Sequence, residues 1–157
     1  HWELQVTDTV RMGALIACGV ETALLDALQA KVAEARATLN SVQPYLIAAF
    51  NRIRTKIGQE SCWLVIEEPG CLMLALIRAG HWLSIRCRPV DADWRANFAE
   101  LIERETTLLA VEQPCTKIVV YTPFAFEADS SSGFQVRDLT LVGGTAADFQ
   151  PLAMALA

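Results

Sequence analysis

At 157 residues, 53% of them hydrophobic, the chain can build one well-buried domain or two small lobes whose sheets are covered on two faces. A net charge of −5 argues against broad nucleic-acid binding, and no run approaches the roughly 20 apolar residues needed to cross a bilayer. Five cysteines without a C-x-x-C pattern and only two histidines argue against a disulfide framework and a zinc site, and fit a reducing, cytoplasmic setting.

The first residues, HWELQVTD, have no basic segment followed by an apolar run, so no signal peptide is expected. A start without Met is expected of an excised or processed piece. Residues 2–6 alternate as a half-buried strand, and residues 11–20 (RMGALIACGV) read as a buried strand. Glu21-Thr22 then opens a helix, with Thr22 placed to cap the first amides and Leu24, Leu25, Leu28, Val32 and Ala35 on one face. Residues 37–42 are short and β-like. Pro44 suits the first turn of a second helix, whose stripe is Leu46, Ala49, Phe50, Ile53 and Ile57 and whose end is Gly58. Arg52, Arg54 and Lys56 read as the solvated C-terminus of that helix rather than as a phosphate patch.

Three apolar runs follow, at 62–66, 71–77 and 82–87. Pro69-Gly70 and Gly80 make both connections tight, so the spacing predicts an antiparallel meander. Asp91 or Asp93 is placed to cap a helix carrying Trp94, Phe98, Leu101, Ile102, Leu108 and Leu109. Residues 117–121 (KIVVY) form a continuous apolar run, which predicts a central, parallel strand. The polar stretch 127–133 reads as a loop, 134–142 as a last strand and 148–157 as a last helix. Cysteines 18, 62, 71 and 87 lie in strand-like runs and are expected to be buried, with Cys115 nearer the surface. This order, β-β-α-β-α then β-β-β-α-β-β-α, predicts an α/β, ribonuclease-H-like mixed sheet with an antiparallel meander and flanking helices.

Several segments carry a more specific likeness. ALIACGVETALLDALQAKV, QPYLIAAFN, WLVIEEPGCLMLALIRAGHWLSIRC and the closing DFQPLAMALA resemble, in order, parts of actin-like proteins of the actin/Hsp70/sugar-kinase superfamily. The resemblance is to the branch serving type IV pilus assembly and type II secretion, of the PilM, GspL and MshI kind. It implies that 1–60 is the C-terminal part of a first actin-like lobe and 61–157 a second, ribonuclease-H-like lobe. It also implies a cytoplasmic scaffold, peripheral to the inner membrane, that binds the short cytoplasmic tail of a membrane protein. No direct membrane span and no nucleic-acid partner are expected.

In nucleotide-binding members of that superfamily the second phosphate loop reads Asp-x-Gly followed by small hydroxyl residues. The matching residues here are Glu68-Pro69-Gly70, then Cys71, Leu72 and Met73. Pro69 removes a backbone donor, and apolar side chains cannot solvate a phosphate oxygen. The run KIVVY leads into Thr122-Pro123-Phe124-Ala125-Phe126 with no Gly where an adenine-side turn would need one. The expectation is therefore a degenerate site at Glu68 and Gly70, no catalytic residue, no metal and no cofactor. The alternative is a nucleotide-binding ATPase of the same superfamily.

Other candidates weigh less. Adjacent Glu67 and Glu68 point to opposite faces in a strand, and together with Asp91 and Asp138 they have no spacing diagnostic of a two-metal nuclease. Gly143-Gly144-Thr145 reads as a helix-entry turn, His81 as a turn residue, and none of the serines lies in a nucleophile elbow. Trp63, Trp82 and Trp94 are expected in or near the core. Phe124, Phe126 and Trp82 are the residues most expected to meet a protein partner.

Overall fold

The computed structural model describes residues 1–6, 16–91, 93–122, 126 and 133–139. The chain divides into two compact units, His1–Pro44 and Tyr45–Ala157.

In the first unit β1 (Trp2–Val6) pairs antiparallel with β2 (Ala17–Glu21), and α1 (Thr22–Glu34) follows. The strand expected over 11–20 is thus short and half-exposed, and its first part lies outside the described residues. Thr22 is the first helical residue, not the cap; Glu21 holds that position without a side-chain bond, and the Thr22 amide donates to the His1 carbonyl at 3.2 Å. No residue of α1 is buried. The helix ends in a Schellman pattern: Ala37 donates to the Val32 carbonyl at 3.0 Å, Arg36 to Ala33 at 2.9 Å, and Arg36 has φ 53°. The β-like run at 37–42 is irregular rather than a strand. Its composition favours extension, but a strand requires a ladder partner, and β1 and β2 pair only with each other.

The second unit has a five-stranded mixed sheet in the order β5-β4-β3-β6-β7. Its elements are α2 (Tyr45–Ile57), β3 (Cys62–Glu68), β4 (Cys71–Arg78), β5 (His81–Pro89), α3 (Phe98–Leu108), β6 (Lys117–Tyr121) and β7 (Gln135–Asp138). The meander β3-β4-β5 is antiparallel, as its tight connections require. In the β4–β5 turn Ala79 and Gly80 have φ 47° and 77°, the left-handed pair a type I′ hairpin uses. β6 runs parallel to both β3 and β7, in the inner position its apolar run predicts.

Strand alternation divides the core in two. Cys62, Leu64 and Ile66 of β3 point to one face, where Leu46, Ala49, Ile53 and Ile57 of α2 cover them together with Val119 and Tyr121. Trp63 and Val65 point to the other face, against Phe98 and Ile102 of α3 and Leu72, Leu74, Leu76, Ile118 and Val120. The boundary expected at residue 60 therefore falls earlier, because α2 contributes its whole apolar stripe to this sheet.

The helix expected from Asp91 or Asp93 begins later, at Phe98 after Asn97. Asp91 and Asp93 instead shape the preceding turns: Asp91 Oδ1 accepts the Asp93 amide at 3.2 Å, and the Asp93 carbonyl accepts the Ala96 amide at 3.0 Å. Of the cysteines expected inside, Cys62 is buried, Cys18 and Cys71 are half-buried and Cys87 is exposed on the outer strand; Cys115 is also half-buried. The last helix expected over 148–157 lies outside the described residues.

Candidate functional site

Because β3, β6 and β7 are parallel, their carboxyl ends share one edge of the sheet, the usual position of ligand crevices in open α/β sheets. Glu67, Glu68, Tyr121, Thr122 and Asp138 gather there, together with the Pro69-Gly70 turn that returns the chain along β4.

Glu67 and Glu68 point to opposite faces, as strand alternation predicts. On the α3 side Glu67 accepts Arg95 Nη2 at 2.6 Å and Trp94 Nε1 at 3.3 Å. The Arg95 guanidinium also lies 4.5 Å from the Trp94 ring centre, a cation–π contact. With donors on both its oxygens, Glu67 joins β3 to the turn before α3.

Glu68 is on the α2 side, near Tyr45. Burial pushes its carboxyl above the ordinary value. The Tyr45 hydroxyl is likewise raised, first by burial and then by the neighbouring Tyr121 and Glu68. The Tyr121 hydroxyl is itself buried with no hydrogen-bond partner. In the interval between the unfolded and folded Glu68 values the folded chain holds more protons, so this group lowers stability as pH rises through it. Glu68→Gln removes that dependence. Urea midpoints are expected to rise for the variant at about pH 7 and to approach the parent's near pH 3, where the carboxyl is protonated in both states.

The β3–β4 ladder stays in register to the pair Glu68 and Cys71, leaving Pro69 and Gly70 as a two-residue turn. Gly70 has φ 78°, the left-handed position after Pro that a type II turn requires. Its carbonyl accepts the Val90 amide at 3.1 Å. Pro69 has no N–H, and Leu72 points into the core. A turn this short offers few donors for an anion.

The three residues most expected to meet a partner are placed differently. Phe124 lies outside the described residues. Phe126 is a core residue, stacked on Trp94 with ring centres 5.6 Å apart and edge-on to Phe98 at 4.7 Å. Asp138 Oδ2 accepts its amide at 2.9 Å, which fixes the ring over the α3-facing cluster. Trp82 is half-buried, edge-on to Phe50 at 4.6 Å. Neither Phe126 nor Trp82 projects as an isolated apolar ring. His81, expected in a turn, is exposed as the first residue of β5, Ser61 Oγ accepts the Ala79 amide at 3.1 Å, and Gly143-Gly144-Thr145 lie outside the described residues. Among the described residues, no three of His, Cys, Asp and Glu converge to hold a metal.

The sequence reading missed the cluster around Glu105. This carboxylate is fully buried and accepts Arg88 Nε at 2.7 Å and Nη2 at 2.9 Å, with Arg86 at 3.6 Å and Arg104 at 3.8 Å. Two signals could have revealed it: Arg86 and Arg88 are two apart on one strand, and Glu105 falls on the apolar stripe of α3 with Phe98 and Ile102.

No protein-family model matches the sequence, and no curated protein does. Among solved structures the chain is similar to a Bacteroides thetaiotaomicron protein described as having an actin-like ATPase fold and unknown function. The TM-score is 0.53 at 11% identity, over 97% of this chain and 58% of that one. The strand order, the two helix-covered faces and this likeness together give the chain the actin-like fold, over a length 58% of its neighbour's.

Proposed function

We propose that the chain is a non-catalytic, actin-like scaffold of a bacterial type IV pilus or type II secretion platform, which binds the cytoplasmic tail of an inner-membrane protein. One observation supports the non-catalytic reading. The turn where nucleotide-binding relatives of this fold hold phosphate is closed to two residues, Pro69 and Gly70, with a carboxyl raised by burial on one side and a cysteine on the other. The pilus and secretion setting is supported by the sequence likeness of the strand–helix segments and of the meander. A scaffold keeps its core and can lose phosphate contacts without penalty, since its work is done by surface pairing.

Calorimetric titration of the whole chain with ATP and Mg²⁺ tests this. No saturable heat is expected up to about 1 mM nucleotide, which corresponds to binding weaker than about 4 kcal/mol. A dissociation constant in the micromolar range would establish the alternative, a nucleotide-binding ATPase of the same superfamily. That alternative draws on the neighbour's description as an ATPase fold.

A further inference from the structure

Among the described residues β5 is an outer strand of its sheet, bonded to β4 on one side. The outward N–H and C=O groups of such a strand form a template for another strand, and folds usually blunt them. Here the blunting is confined to the ends. A bulge at Leu76/Ile77 disturbs the start of the pairing and Pro89 closes it, while 84–88 keeps an unbroken register with β4.

The side chains along that stretch are not neutral. Ser84, Arg86 and Arg88 pair with Leu76, Leu74 and Leu72, so they point to the α3 side. There Arg86 and Arg88 meet Arg104, and all three guanidinium groups share the single carboxylate of Glu105. Glu105 is wholly buried, whereas Arg88, Arg86 and Arg104 are 31%, 32% and 62% exposed. Arg88 directs two donors at Glu105, but Arg86 and Arg104 stand beyond hydrogen-bond reach of it. The rim between β5 and α3 thus has surplus positive charge on a chain whose net charge is −5.

We propose that the β5 edge over 84–88 is a docking strand for an extended acidic segment of a partner protein. The segment continues the sheet by main-chain pairing and lays its carboxylates against Arg86, Arg88 and Arg104. The open ladder selects a polypeptide over a nucleic acid, which has no amide to pair with it, and the arginines select its charge. The assignment rests on the scaffold reading only in that the unit works by contact. The two fail separately: nucleotide binding would end the scaffold reading and leave this strand untouched, and failure of the peptide test below would do the reverse.

The test uses the whole chain and a fluorescein-labelled heptapeptide of alternating Glu and Val, followed by anisotropy. Saturable binding is expected, weakened about tenfold by Arg104→Glu, a change at an exposed side chain that leaves the Arg88–Glu105 fork in place. Arg86→Gln, expected to act in the same direction, is the second variant should the first fail to fold. Of two peptides N-methylated on alternate amides, one is expected to lose binding, because one set faces the ladder. The proposal is overturned if the heptapeptide does not bind, if both methylated peptides bind like the parent, or if a Lys-Val counterpart binds equally. It is also overturned if an oligothymidylate of equal charge displaces the probe as well as unlabelled peptide does.

Discussion

Trp63→Ala is expected to lower the unfolding free energy by about 4 kcal/mol, within the range for emptying a buried aromatic site. Trp63 is fully buried on β3, paired across to Leu76 on one side and to Ile118 on the other. Its ring fills the α3-facing cluster, and flanking strands held by two ladders cannot collapse far into the space it leaves. For a domain with a total stability of about 5–15 kcal/mol the loss is a large share. Trp63→Phe separates ring volume from polarity. The indole N–H is buried without a partner, so Phe removes an unsatisfied donor while leaving a smaller void. Urea unfolding should place Phe much nearer the parent than Ala, with the slope unchanged in both. An Ala midpoint within error of the parent would mean that the ring does not sit in the core.

Glu105→Gln is expected to cost about 2–3 kcal/mol, somewhat less than the 3–5 kcal/mol typical of breaking a buried ion pair. The carboxylate is 0% exposed, accepts both hydrogen bonds of the Arg88 fork, and has Arg86 and Arg104 within ion-pair distance. The amide that replaces it keeps one good acceptor and brings two donors to face guanidinium donors. The cost stays below the usual range because Arg86 and Arg88 are about one-third exposed and can turn to water. Glu105→Met is expected to cost more than Gln, about 3–5 kcal/mol, since it removes every acceptor and leaves the Arg88 guanidinium unpaired. Chemical denaturation of the three proteins in parallel checks the order. Met as stable as Gln, or more so, would show that the arginines do not depend on an acceptor at this position.

The meander was legible because its breaks carry their own stereochemistry. Pro69-Gly70 and Gly80 each fix a left-handed or proline-set turn, and the runs between them are too short for anything but strands. β6 was legible for a different reason: a strand apolar on both faces can only sit inside a sheet covered on both sides. Residues 37–42 misled, because β propensity is a property of a residue and a strand is a property of a pair. The start of α3 misled because Asp91 and Asp93 can satisfy turn amides as readily as helix amides. Of the site, the opposed directions of Glu67 and Glu68 followed from the strand period alone. The fates of Phe126 and of Arg95 beside Glu67 depend on contacts far apart in sequence that no local pattern encodes, whereas the cluster around Glu105 left local traces in Arg86, Arg88 and the α3 stripe and only its pairing was hidden.

The placement of α2 has a practical consequence. Its residues Leu46, Ala49, Ile53 and Ile57 roof Leu64, Ile66, Ala75 and Ile77, although the helix precedes every strand of that sheet in the chain. A recombinant fragment cut at residue 61 would unroof one side of the sheet and offer a sticky apolar plane to its neighbours in solution. A cut just ahead of Tyr45 keeps the roof on.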